Sequence, residues 1–97
     1  MNEAANDKPA APDPAVIEAA PQVVAHPWEL SAQSHWREGR RWQREAEQYA
    51  HLADYRDFAL RRVEVCHRAA RADEATAAHI RTYLRWALTL AQNQSDQ

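Results

Sequence analysis

The chain has 97 residues, 27% of them charged, and a net charge of −2. That length admits one small domain, and near-neutrality excludes electrostatics as a global driver of binding. A single cysteine, Cys66, excludes an internal disulfide and points to a reducing, intracellular home.

All five prolines (Pro9, Pro12, Pro14, Pro21, Pro27) fall in the first 27 residues, and only Gly39 follows them as a glycine. Residues 1–27 are otherwise alanine and acid with few large side chains, a composition that cannot bury enough surface to order itself. A disordered tail is expected there, with Val16, Ile17, Val23 and Val24 as its few apolar anchors. The opening MNEAANDKPA has neither a basic start nor an apolar run, so no secretory signal is expected. The longest uncharged stretches, Ala19 to Trp28 and Trp86 to Ser95, are about half the length that crosses a bilayer. A soluble, cytoplasmic protein without membrane contact is the expectation.

An all-α helical domain is expected over 28–92, followed by a frayed end at 93–97. Pro27 suits a helix entrance, and Ser31 or Ser34 could cap it. One long helix is expected over about 31–70, with Gly39 as the place where it would kink or divide. The pattern resets near Asp73, the expected N-cap of a second helix over about 74–91. Strand is not expected, because period-2 alternation is absent and β-branched residues are sparse. The fold class is therefore a helical hairpin.

His35, Gly39, Trp42, Ala46, Tyr49, Ala53, Arg56, Leu60, Val63, His67 and Ala70 follow at alternating steps of about four and three, the period of coiled-coil packing. Within that seam Arg56 and His67 are the polar misfits. Arg56 needs an acid on a facing helix, and Glu74 is the nearest candidate.

The last helix carries two apolar stripes. Ala77, Ile80, Leu84, Ala87 and Ala91 form one; His79, Tyr83, Trp86 and Leu90 form a second, placed on nearly the opposite side. A helix apolar almost all round is normally buried, and one partner helix cannot cover both stripes. Phe58 and Val65, seven apart and turned from the main seam, tell the same story. The expected remedy is a homodimer resembling a four-helix bundle, with Phe58, Val65, His79, Tyr83, Trp86 and Leu90 at its interface.

Arg37, Arg40, Arg41 and Arg44 share one helix face, with Trp36 at its edge and only Glu38 offsetting four positive charges. Arginine forks beside an aromatic ring suit an acidic protein surface. Phosphate or base contacts use the same residue types, so a nucleic-acid binder is the alternative. The acidic balance of the whole chain and the lack of a recognisable binding motif count against that alternative.

Metal and catalytic sites are not expected. His35, His51 and His67 recur every sixteen residues, so each is rotated about 160° from the last. Glu47 and His51 make half of a carboxylate-bridged site with no second half. Cys66 has no device to lower its pKa, and the phosphate and dinucleotide fingerprints need glycines the chain lacks. No cofactor is expected. The sequence reads as a small non-catalytic protein that binds another protein: a regulator, inhibitor, adaptor or accessory subunit.

Overall fold

In the computed structural model, which describes residues 11–95, the chain is a hairpin of two helices, α1 (Pro14–Gln48) and α2 (Ala53–Ser95). They pack side by side as a rod of 77 × 21 × 18 Å. The all-α hairpin is the expected fold class, but α2 runs to Ser95, through the end expected to fray from 93, and three other boundaries differ as well.

The first is the start. Residues 14–27, expected to lie in the disordered tail, form the opening turns of α1. Asp13 caps them: its backbone is extended, its Oδ1 accepts from the Ala15 N–H at 2.9 Å, and Pro14 takes the first helical position. There proline loses nothing, because that N–H has no intrahelical partner and φ is already helical. Pro21 and Pro27 sit inside the helix, each removing one hydrogen bond from the ladder. Packing offsets that cost, since Pro21 and Ala25 are buried against α2. Residues 1–10 of the expected tail lie outside the described residues.

The second is the turn. It falls at 49–52, not near Asp73, and the expected helix over 31–70 is divided there. Tyr49 N–H bonds to Glu45 O, Leu52 N–H to Tyr49 O and Arg56 N–H to Leu52 O, so the reversal is held at both ends by backbone hydrogen bonds. No described residue has a positive φ. The reversal therefore needs no glycine and left no punctuation to find. Asp73 is mid-helix, its Oδ2 3.5 Å from His35 Nε2 on α1.

The third is Gly39, where α1 continues unbroken. A Cβ placed there would meet His67 Cδ2 at 3.1 Å and Cys66 Cβ at 3.4 Å. Gly39 is a packing glycine at a close crossing of the helices, not a hinge.

Small residues set the packing throughout. Ala25, Ala32, Gly39 and Ala46, one every seven residues, are the buried row of α1, with Pro21 extending it. They face Ala59, Val63, Cys66, Ala70 and Ala77 on α2. A seven-residue spacing keeps a row on one side of a supercoiled pair, and small side chains let the backbones come close. No polar or charged residue is buried among the described residues.

The consequence is an inverted distribution of size. The buried hydrophobics are six alanines, Val63 and Cys66, while Trp28, Leu30, Phe58, Val65, Tyr83 and Trp86 are among the large side chains left exposed. A core of methyl groups contributes little, at about 0.8 kcal/mol per buried carbon. The two helices bury the small residues against each other and leave many of the large ones outside.

Candidate functional site

The two edges of the helix–helix contact differ in chemistry. Along one edge, polar bridges tie the helices together. Trp36 Nε1–H donates to Glu74 Oε2 at 3.0 Å, the Trp36 ring lies 4.8 Å from the His67 ring, and Arg81 reaches Glu29 at 3.5 Å. Along the other edge, rings meet. Trp42 packs edge-on against Phe58 at 5.6 Å, Arg62 lies 6.0 Å above Trp42, and Tyr55 donates its hydroxyl to Glu45 at 3.2 Å. Partial burial, and then the Glu45 carboxylate, push the Tyr55 pKa up from the ordinary tyrosine value.

Trp36 is therefore not part of an open arginine patch. Its indole is half-buried and engaged with α2. Trp36→Phe removes the bond to Glu74 and should cost about 1 kcal/mol, read as a fall of about 5 °C in the thermal midpoint. An unchanged midpoint would show the bond to be dispensable.

Arg37, Arg40, Arg41 and Arg44 remain together. Gly39 and Ala46 face α2, and each of the four arginines lies about 100° or more around α1 from that row. All four are exposed on the side away from α2. Arg41 is partly held, paired with Glu38 and 5.3 Å above the Trp42 ring. Arg37, Arg40 and Arg44 make no ion pair among the described residues, so their guanidinium groups are available to an acidic surface.

The polar seam positions part company. Arg56 does not face Glu74. It is half-buried beside the turn, and its guanidinium lies 3.5 Å from its neighbour Asp57. Glu74 stands eighteen positions along α2 and is engaged with Trp36. His67 is half-buried, sandwiched between Trp36 and the surface of Gly39.

The six positions expected at a dimer interface are all exposed: Phe58, Val65, His79, Tyr83, Trp86 and Leu90. Tyr83 and Trp86 are the most open, each 58% accessible. Their placement sharpens one point. The two stripes of α2 are one residue out of step, so they lie about 100° apart and not on nearly opposite sides. The outer stripe is also longer than the four residues at the end of the chain. Phe58, Val65, Ala72, His79 and Trp86 recur every seven residues along α2, and Arg62, Ala69, Thr76, Tyr83 and Leu90 recur four positions after them. No acid interrupts this second seam. The seven-residue spacing was visible in the sequence; only the displaced turn hid that it belongs to one helix.

A further apolar strip lies on α1. Val16, Val23 and Leu30, again seven apart, are exposed on α1. Val16 and Val23, with Ala15, Ala19, Ala20 and Val24, line an open groove near its start. Val16 and Val23 were expected as anchors of a tail, and that assignment separated them from Leu30 in the helical domain.

Cys66 is buried and unpaired by any disulfide. Among the described residues no three His, Cys, Asp or Glu side chains come together to hold a metal ion. No helix among them is long and apolar enough to cross a membrane. The Trp42 Nε1–H is buried without an acceptor among the described residues, a local cost of about 1–3 kcal/mol. Compared with protein-family models, curated proteins and solved structures, the chain matches none.

Proposed function

We propose that the chain is a non-catalytic interaction module, a regulator, inhibitor, adaptor or accessory subunit. In this proposal it associates with itself through the outer seam of α2 and takes a partner protein on the arginine face of α1. The observation that carries this is the inverted size distribution: alanines inside, aromatic and branched side chains outside. A contiguous exposed apolar row is the usual mark of an interaction surface, and aromatic and arginine side chains dominate the energetics of such surfaces. Arg37, Arg40 and Arg44 lie on the opposite side of the rod from α2, so both surfaces can be engaged at once.

The experiment is capture of the binding partner by the full chain, followed by titration of that partner against an Arg40→Ala, Arg44→Ala variant. Loss of two forks at an acidic surface should weaken binding at least about tenfold. Equal affinity would remove the arginine face from the site. Arginine contacts to an acidic protein and to nucleic acid both weaken with salt, so the two are told apart by nuclease treatment of the captured complex, which releases the chain only if the ligand is nucleic acid.

A further inference from the structure

We infer that the outer seam of α2 is covered by the same seam of a second copy, running antiparallel about a two-fold axis that passes between Ala72 and Thr76. This rests on the proposal that the chain works by association, and it specifies what lies on the seam and in which direction.

Three observations carry it. The first is angular. The buried and outer seams of α2 lie about 100° apart, close to the right angle between two neighbours of one helix in a square four-helix arrangement. Alpha-2 is thus shaped as a corner, with α1 on one side and an open place on the other.

The second is the match of the seam to itself. Reversed end for end with full overlap, it sets Phe58 against Leu90 of the second copy and Val65 against Tyr83. Arg62 meets Trp86 of the second copy, a guanidinium over an indole. The small residues Ala72 and Thr76 meet at the centre, where two helices crossing on a two-fold axis need room. Each layer pairs the two kinds of seam position, as antiparallel coiled coils require. Of the two acids level with the axis, Glu74 accepts from Trp36 and Asp73 is turned toward His35, both on α1.

The third is charge. Arg61, Arg62 and Arg68 crowd one end of the outer seam, Arg62 over Trp42 and Arg68 held at 3.5 Å by the exposed Glu64, while its other end is flanked by Thr82 and Thr89. A parallel pair would set each arginine beside its own copy. The antiparallel pair sets Arg61 beside Thr89 and Arg68 beside Thr82 of the second copy, and removes that repulsion. The seam from Phe58 to Leu90 is about 48 Å long and a helix about 10 Å wide. Two copies would hide roughly 1,000 Å² in all, the threshold of a specific interface.

The test uses the full chain. Sedimentation at micromolar concentration should give twice the 11.1 kDa chain mass. Val65→Lys with Trp86→Lys, both exposed in the single chain, should abolish the dimer; a dimer that persists overturns the seam as its interface. Direction is read by Thr82→Glu with Thr89→Glu, which places acids beside Arg68 and Arg61 of the second copy. Dissociation should then become about five- to tenfold harder at low salt, and Lys at the same positions should ease it by a similar factor. Weakening by glutamate overturns the antiparallel order. A monomer at every concentration overturns self-pairing altogether, and the Arg40, Arg44 titration still reports separately on the partner-binding proposal.

Discussion

Gly39→Leu is expected to strip the hairpin of most of its stability. Even a single carbon at this position would stand 3.1 Å from the His67 ring and 3.4 Å from Cys66 Cβ. Three further carbons have no space to enter, because α2 lies against this stretch of α1 with only small residues between. Overpacking of this kind costs about 1–3 kcal/mol, and a site flanked by two backbones stands at the upper end. A chain of this length with an alanine core has a total stability of about 5 kcal/mol, so most of it is lost. At fixed protein concentration the thermal midpoint by circular dichroism should fall by more than about 12 °C. Gly39→Ala is the graded control. It gains about 1 kcal/mol of helix propensity and loses a comparable amount by displacing the half-exposed His67 ring, so its midpoint should barely move. Arg37→Leu, on the opposite face, should leave stability intact. If the leucine variant at 39 melts with the wild type, the close crossing is not there.

The contrast between these substitutions shows what the sequence made legible. Helix, and helix in a pair, followed from the seven-residue rows and the scarcity of glycine. The partner faces of Ala46, Val63 and Ala70 were legible in the same way, since a heptad row names its own buried side. The turn was not. Tyr49-Ala50-His51-Leu52 has ordinary helix-forming residues and no positive φ, and the four–three rhythm happens to run on across it from Ala46 to Ala53. A reversal built from such residues is decided by what the two arms bury when folded together, which is a tertiary and not a local preference.

The candidate site was divided by the same error. Arg37, Arg40, Arg41 and Arg44 lie within three turns of one helix, so no choice of turn could separate them, and they share the outer face as expected. Phe58, Val65 and the Tyr83–Trp86 pair looked like two features of two helices; they belong to the two rows of one seam on α2. Trp36 went wrong for another reason. Its ring lies only about 60° from the Gly39 row, within reach of α2, and its N–H found Glu74. Amphipathic rings at the edge of a seam are claimed by whichever neighbour satisfies them, and sequence spacing alone does not say which.

The start of α1 yields the other large expected effect. If residues 14–27 were a tether, deleting residues 1–27 would remove their own helix signal and nothing more. Their packing says otherwise. Arg81 pairs with Glu29, and from there α2 continues for fourteen residues while α1 runs back beside it toward Pro14. Pro21 and Ala25 are buried, Ile17 and Ala20 half-buried, and across the gap Leu84, Ala87, Leu88 and Ala91 are half-buried in turn. Nothing else among the described residues lies over that stretch of α2. A single helical arm of this length, with no partner, is marginal in water. Truncation should therefore melt residues 84–95 as well, lowering the ellipticity at 222 nm by about a third where the tether would take about a fifth. Amide exchange at 84–95 should accelerate at least about tenfold, while amides around Val63 to Ala70 keep their protection. A truncated chain whose residues 84–95 stay protected would mean that the outer seam, filled by a second copy, can hold the end of α2 in place without the first turns of α1.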